Sequence, residues 1–173
     1  VKDAYMDEYG IVYGHLDGEG TKIGVNAHID TAPALTGENV KPQIIKNYQG
    51  QDIKLNDEYV LSPEDFPHLN EVIGSDIVCT SGDTLLGADD KAGIAIIMGM
   101  LSYFKEHPEV KHHPISIAFT VDEEIGEGAK HFSLEKMDAE YAYSVDGGDP
   151  NEVAYDNFNA RAASLEITGV GIH

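Results

Sequence analysis

The chain has 173 residues, 42% of them hydrophobic, so it can bury a core and lacks the composition of a disordered protein. Its formal net charge of -20 comes from 31 acidic and 11 basic residues and disfavours binding to nucleic acid or anionic lipid. No apolar run approaches the roughly 18 residues of a membrane span. The acidic N-terminus lacks the apolar core of a signal peptide. With a single cysteine, Cys79, these features favour a cytoplasmic protein.

The first half of the chain predicts strands separated by turns. Residues 10–16 and 22–28 have the apolar content of strands, and the turn residues between them, 17–20, are typical of a hairpin. Residues 31–69 are rich in Pro, Gly, Asn and Asp, and we expect a long excursion that contains short strands. Residues 77–80 predict another short strand, with Cys79 in the core.

The second half predicts alternating helices and strands. A helix is expected over residues 91–105, apolar on nearly every face and therefore buried against a sheet. Strands are expected at residues 115–121 and 141–145, a second helix near 128–136, and a further strand at 162–168. This alternation predicts an α/β fold with a mostly parallel sheet flanked by helices.

Acidic residues accompany these predicted elements at four places. They are His28-Ile29-Asp30 after a strand, Asp89-Asp90 before a helix, Asp122-Glu123-Glu124 after a strand, and Asp146 after the next strand. Binding sites in open α/β sheets form at the carboxyl ends of the strands, so the fold would gather these residues at one edge. Clustered carboxylates repel one another, and a divalent cation removes that conflict. Imidazole with carboxylates suits zinc, and also manganese or cobalt.

Each cluster taken alone has an ordinary structural interpretation. A lone His-x-Asp is more often structural, two aspartates at a helix start are commonly a cap, and the other acidic runs are commonly turns. Their occurrence together favours two metal ions that share a bridging carboxylate and a water, with another carboxylate nearby as general base. Adjacent side chains in an extended segment point in opposite directions, so one of Glu123 and Glu124 could face the metal and the other the water. Spacing alone does not assign them.

Four motifs carry a resemblance to a known family. They are His28-Ile29-Asp30-Thr31-Ala32-Pro33, Leu86-Gly87-Ala88-Asp89-Asp90-Lys91-Ala92-Gly93, Phe119-Thr120-Val121-Asp122-Glu123-Glu124-Ile125-Gly126 and Val145-Asp146-Gly147-Gly148. With them the chain resembles the co-catalytic zinc exopeptidases related to carboxypeptidase G and aminoacylase. Within that group it is most similar to the aminopeptidases that cleave tripeptides, and the likeness covers nearly the whole chain.

The resemblance implies a set of metal ligands. His28 and Asp146 would bind one metal ion, Asp89 would bridge both ions, and Glu124 would bind the other. The implied cofactor is two Zn²⁺ ions, with Co²⁺ or Mn²⁺ as alternatives. Asp90, beside the bridging residue, would have a structural role.

The resemblance also implies the catalytic roles. Glu123 would deprotonate the bridging water and later protonate the leaving amine, whereas Asp30 would hydrogen-bond His28 and fix its tautomer. His173, at the end of the chain, would help to bind the substrate or to stabilise the oxyanion.

The implied domains are a partial catalytic domain at residues 1–160 and the start of a lid and dimerisation domain at residues 161–173. The full-length protein would act on small peptides and could form a homodimer through the lid. Family members are longer and bind the metal at Glu124 with a further histidine that this chain does not reach. We therefore expect the 173-residue chain to be inactive alone.

Two other classes of function remain open at this point. One is a dipeptidase, carboxypeptidase or N-acyl amino-acid deacylase that uses the same metal site, which a substrate panel would separate. The other is an acidic cation-binding module without catalysis, in which Glu123→Gln would change nothing.

Overall fold

The computed structural model describes residues 1–148, 152–156, 159–161 and 163–169. In them the strands are β1 (Lys2–Met6), β2 (Val12–Leu16), β3 (Ile23–His28), β4 (Gln43–Ile45), β5 (Ile53–Lys54), β6 (Val60–Leu61), β7 (Ile77–Cys79), β8 (Ile115–Thr120) and β9 (Tyr141–Ser144). The helices are α1 (Ala88–Glu106) and α2 (Leu134–Met137), and a 3₁₀ helix spans Pro67–Val72. None of the helices in these residues is long and apolar enough to cross a membrane.

Five strands form the central sheet, in the order β1-β2-β8-β3-β9. β8, β3 and β9 are parallel, whereas β2 is antiparallel to β8 and β1 is antiparallel to β2. The parallel register pairs His28 with Thr120 and Asn26 with Ser144, so these three strands end at the same edge. The predicted α/β fold is confirmed, with a mixed sheet because β1 and β2 add two antiparallel pairings.

The turn at residues 17–20 does not close the predicted hairpin. β8 lies between β2 and β3, so the loop has to cross the chain that leads into β8. The Glu19 amide donates to the His112 carbonyl at 2.9 Å, and a Cβ on Gly18 would lie 2.4 Å from the carbonyl carbon of His113. The hairpin prediction is wrong because local turn residues do not reveal a strand that inserts from much later in the chain.

The predicted helix at residues 91–105 is confirmed as part of α1, which packs on β3 through one face. The main core there is formed by Val25, Ala27, Ile97, Leu101, Ile115 and Ile117. On the opposite face Ile96 is 62% exposed and Met98 is 51% exposed. The prediction that this helix packs on a sheet is confirmed, but in the described residues its burial is limited to one face. Apolar composition shows what a helix can bury, and only its neighbours decide which faces are covered.

Residues 31–69 form the predicted excursion with short strands. β4 pairs with β7 and β5 pairs with β6, each antiparallel, in two small sheets. Tyr48, Ile53 and Cys79 form a separate core beneath them. The interpretation of Cys79 as a core residue is confirmed, and burial raises the pKa of its thiol.

The structure also corrects the prediction at three further elements. β1, which was not predicted, is an edge strand whose residues are all exposed, so it lacks an apolar signal. The helix near residues 128–136 shrinks to α2, of four residues. The described residues 163–168 form no strand, so the prediction of a strand there is wrong over that part.

Candidate active site

The candidate site lies at the sheet edge where the three parallel strands end. His28 is the last residue of β3, Glu123 follows β8, and Asp146 follows β9. Asp89 lies at the start of α1, whose preceding residue, Gly87, has a φ of 75°. The topology thus brings together residues from four separate parts of the sequence.

His28 is the buried centre of the cluster, with an imidazole only 2% exposed. Its Nδ1 lies 3.1 Å from the carbonyl oxygen of Asp30. A carbonyl oxygen can only accept, so Nδ1 carries a proton and Nε2 of the neutral ring has a lone pair available for a metal ion. Nε2 faces the carboxylates, 2.8 Å from Asp89 Oδ1 and 3.8 Å from Asp146 Oδ2.

The pKa of His28 is raised by these neighbours. Burial lowers it, but the hydrogen bond to Asp89 and the negative charges of Asp146, Asp30 and Asp89 outweigh that effect. Without a metal ion, these carboxylates stabilise a proton on the ring, which would lie between Nε2 and Asp89. A cation at Nε2 would satisfy the same carboxylates.

Asp90 anchors the backbone of the site. Its Oδ2 accepts from the His28 amide and its Oδ1 from the Gly93 amide, each at 3.1 Å, and the residue is only 4% exposed. Burial and the charge of Asp146 raise the pKa of Asp90 against these hydrogen bonds. The Asp89–Asp90 peptide bond is cis. Asp89 instead has a side chain that is 73% exposed and faces His28.

Glu123 and Glu124 lie in a tight turn after β8. The turn begins at Asp122, with a φ of 63°, and closes through the Glu127 amide, which donates to the Asp122 carbonyl at 2.9 Å. The Glu124 amide donates to Asp30 Oδ2 at 3.1 Å, so Asp30 joins the end of β3 to this turn. Asp30 therefore contacts both His28 and Glu124. It is not one of the possible metal ligands among the described residues.

Glu123 stands beside the cluster, with Oε2 3.9 Å from His28 Nε2. Partial burial raises the pKa of Glu123, and the charges of Asp146, Glu124 and Asp30 raise it further, against the opposing effect of His28. A carboxylate with a raised pKa is a better proton acceptor near neutral pH than an ordinary glutamate.

The donor set fits a divalent metal ion. In the described residues, two groups of possible ligand atoms lie within 4.8 Å of one another: His28 with Asp90 and Asp146, and His28 with Asp89 and Glu124. Ligand atoms about 2.1 Å from a zinc ion lie within about 4.2 Å of one another, so small side-chain adjustments would close either group. The buried Asp30 Oδ1 has no hydrogen-bond partner in the described residues and lies 3.3 Å from His28 Nδ1.

Two expectations about histidines have different outcomes. His28 is the one histidine in the possible metal-binding groups of the described residues. His173 lies outside the described residues, so its predicted role as a substrate-binding residue remains a prediction.

Sequence reasoning gave no role to a cleft beside this cluster. The cleft is lined by Thr31, Ala32, Leu85 and Leu86, and it reaches Asp89 and Glu124. Both wall segments lie in or next to the motifs that carry the family resemblance, but no pattern in the sequence indicates that residues 31–32 and 85–86 meet.

A family model described as M42 glutamyl aminopeptidase matches residues 72–172, more than half of the chain. The chain belongs to this aminopeptidase family. The matched part carries Asp89, Glu123, Glu124 and Asp146, whereas His28 precedes it.

Alignment with individual relatives extends the match to the first residues of this chain. It is 50% identical, over 179 aligned residues and 100% of its length, to Peptidase T from Desulfitobacterium hafniense (strain Y51). The alignment covers 43% of that relative, so the chain spans less than half the length of the curated relatives it matches.

Two solved structures of peptidases are similar in fold. A tripeptidase from Staphylococcus aureus is 28% identical with a TM-score of 0.58, and aminopeptidase PepT from Bacillus cereus is 25% identical with a TM-score of 0.61. Each match covers 85% of this chain and 34% of the other. The resemblance to tripeptide-cleaving aminopeptidases is confirmed.

Proposed function

We propose that the protein to which this chain belongs is a metal-dependent aminopeptidase that releases the N-terminal residue of tripeptides by means of a water activated between two metal ions. The observation that carries the proposal is the convergence of Asp89 and Asp146 on Nε2 of the buried His28. Membership of an aminopeptidase family and similarity to a tripeptidase support the substrate class.

We assign the metal ligands as follows. His28 and Asp146 would hold one ion, Asp89 would lie between the two ions, and Glu124 would hold the second. Zinc suits this set of imidazole and carboxylates, with cobalt and manganese as alternatives. Such ions, when bound by these residues, would lower the pKa of a metal-bound water and polarise the scissile carbonyl.

The proton transfers belong to Glu123. Its carboxylate takes a proton from the attacking water and later donates that proton to the nitrogen of the leaving amine, so it ends each cycle ionised. Its raised pKa supports this role because the group must both accept and donate a proton near neutral pH. Asp30 would hold the proton of His28 on Nδ1 and so keep Nε2 directed at the metal.

The remaining parts of the proposal concern the whole protein. Residues 1–160 would form part of the catalytic domain, and residues 161–173 would begin a lid that contributes His173 to substrate binding and mediates a homodimer. We place the enzyme in the cytoplasm. A histidine outside the chain would complete the site at Glu124, so the 173 residues alone would have little activity.

Metal content and hydrolysis measured together test the proposal. The 173-residue chain and a protein of the length of its Peptidase T relatives would each be analysed for zinc and assayed with tripeptides, dipeptides and N-acyl amino acids. We expect two zinc ions and turnover of tripeptides in the longer protein, with fewer ions and little turnover in the chain alone. Two tightly bound ions without turnover in both would instead favour a cation-binding module, and preferred cleavage of dipeptides or acyl amino acids would change the substrate class.

A further inference from the structure

The β8–α2 loop, residues 121–133, carries Glu123 to the carboxylate cluster and then returns to the sheet. The Glu123 side chain is 53% exposed, and its Oε2 lies 3.9 Å from His28 Nε2. Because about half of this side chain faces solvent, the place of its carboxylate depends chiefly on where the loop holds the backbone of Glu123. The contacts of that backbone therefore decide how the proposed base stands at the site.

Gly128, on the returning part of the loop, packs directly against the backbone of Glu123. A Cβ at Gly128 would lie 3.2 Å from Cα of Glu123, 3.5 Å from its Cβ and 3.5 Å from its amide nitrogen. Carbon atoms pack best at about 3.5–4.0 Å, so an added methyl group would push the Glu123 backbone by a few tenths of an ångström. Gly128 lacks the positive φ of Gly126, so it is this contact that favours glycine at position 128.

The end of the loop is anchored to the start of the chain. The Ser133 amide donates to the hydroxyl of Tyr13 at 3.0 Å, and Tyr13 is completely buried. The ring of His131 stacks on Tyr9, with ring centroids 3.9 Å apart and an interplanar angle of 6°. Residues 131–133 are thus fixed against β2 and the turn before it, so Gly128 cannot easily move away from Glu123.

Glu124, the next residue, has a separate support. Its amide donates to Asp30 Oδ2 at 3.1 Å, whereas the three atoms closest to a Cβ at Gly128 all belong to Glu123. A change at Gly128 should therefore displace Glu123 more than Glu124. We propose that Gly128, held in place through Tyr13, is a positioning residue for Glu123, an inference that rests on the aminopeptidase function proposed above.

Substitutions at Gly128 test this role in the zinc-loaded full-length protein. Because a misplacement of about 1 Å costs about 10²-fold in rate, Gly128→Ala should lower kcat for a tripeptide by about three- to tenfold and Gly128→Val by about 100-fold. KM and zinc content should remain unchanged. Ala129→Ser is the matched control, because it adds one atom at the exposed neighbouring position and should leave kcat unchanged.

A double-mutant cycle separates positioning from a general structural defect. If Gly128 acts through the Glu123 carboxylate, Gly128→Ala should have little further effect on the residual activity of Glu123→Gln, which has no carboxylate to misplace. A defect of the whole fold would instead lower activity by the same factor with either residue at position 123. Equal factors in the two backgrounds would overturn the proposal.

Tyr13→Phe tests the anchor with a measurement that does not depend on turnover. The substitution keeps the ring and removes the oxygen that accepts from the Ser133 amide. In the metal-free full-length protein, deuterium exchange should become faster at the Ser133 amide and also at the Gly126 amide, which donates to the Glu123 carbonyl at 2.7 Å. Faster exchange at Ser133 alone would show that the anchor does not extend to Glu123 and would contradict the role of Tyr13.

Failure of this inference differs from failure of the proposed function. Hydrolysis of tripeptides with an unchanged kcat in both Gly128→Ala and Gly128→Val would overturn the positioning role and leave the aminopeptidase function standing. Loss of zinc from Gly128→Ala would also overturn it, because the contact would then support a metal ligand. Absence of hydrolysis in the unaltered zinc-loaded protein would refute the proposed reaction, and with it any catalytic role for Glu123 and Gly128.

Discussion

The carbonyl oxygen of Val145 lies where a side chain on Gly93 would have to be, since a Cβ at Gly93 would be 2.0 Å from that oxygen. The same Cβ would be 2.5 Å from Asp90 Oδ1. α1 and the end of β9 are thus in backbone contact one residue before Asp146. This contact sets the separation between the aspartates at the start of α1 and the carboxylate that follows β9.

Replacing Gly93 by alanine should therefore damage both stability and the metal site. A Cβ at 2.0 Å from backbone must move the helix or the strand end, and overpacking of this kind costs about 1–3 kcal/mol. Urea unfolding should show the lost stability, and calorimetric titration with Zn²⁺ should show weaker binding.

Gly99→Ala is the control on the same helix, because nothing lies within 4 Å of its Cβ position. It should stabilise the protein by about 0.5–1 kcal/mol and leave Zn²⁺ affinity unchanged. Equal Zn²⁺ affinity in the two variants would show that the Gly93 contact does not position the site.

Glu123→Gln should abolish turnover while the metal is retained. The amide keeps the size of the side chain but cannot take a proton, so kcat should fall by about 10²–10⁴-fold. Elemental analysis should find the same metal content as in the unaltered protein. Glu127→Gln, in the same turn and paired with Lys130, should leave kcat unchanged. Loss of metal from Glu123→Gln would mean that Glu123 is a ligand and would reverse the assignments of Glu123 and Glu124.

Asp30→Asn should weaken metal binding without removing a ligand. Asp30 Oδ2 accepts from the Glu124 amide, and Oδ1 lies 3.3 Å from His28 Nδ1, so the substitution disturbs the supports of two proposed ligands. Loss of such a partner costs about 10–100-fold in metal affinity. Competition with a zinc chelator would measure this change. Asp122→Asn provides the comparison, because asparagine also tolerates the positive φ at that exposed position. If the Zn²⁺ affinity were unchanged in Asp30→Asn, Asp30 would not support the proposed metal ligands.

The stability of the metal-free protein should fall as the pH rises. The pKa values of Glu123 and Asp90 are raised above their ordinary 4.5 and 3.8, and that of His28 above 6.5. At these three groups the folded state therefore binds more protons than the unfolded state, and the resulting stability is lost as the pH rises through the folded-state pKa values. Denaturation midpoints between about pH 5 and pH 8 should decrease. With Zn²⁺ bound the trend should reverse, because protons compete with the metal for the same ligands. Identical pH slopes with and without Zn²⁺ would contradict the proposed ligand set.

Asp7 should produce the opposite dependence at lower pH. Its carboxylate accepts from Lys136 Nζ at 2.8 Å and from the amides of Tyr9 and Ile11, and these contacts lower its pKa below 3.8 despite partial desolvation. The folded-state pKa is below the unfolded value, so this contribution is present above the unfolded pKa and is lost as the pH falls through the folded-state pKa. In Asp7→Asn the free energy of unfolding should depend less on pH in the acidic range. Asp3→Asn, at an exposed position nearby, should not have this effect. If Asp7→Asn left this pH dependence unchanged, Asp7 would not contribute to the loss of stability at acidic pH.

The sequence by itself determined the class of the fold and which acidic residues gather at the candidate site. Apolar strands at residues 22–28, 115–121 and 141–145, each followed by acidic residues, indicated an α/β sheet with a carboxylate cluster at one edge. This was possible because parallel strands of such a sheet end on the same side, so position in the sequence translates directly into position in space. The adjacent Glu123 and Glu124 could be interpreted as base and ligand only through the resemblance to a family.

Only the tertiary structure decided how the segments meet. The turn at residues 17–20 has hairpin residues, yet β8 inserts beside β2, because strand order depends on contacts between residues far apart in the chain. Likewise, Asp90 is buried against the His28 amide while its neighbour Asp89 is exposed to the cleft. Gly93 is required by the carbonyl of Val145, and the walls of the cleft come from two distant segments. Local sequence carries propensity and chemistry, whereas burial, close approach and cavity shape arise only when distant segments pack together.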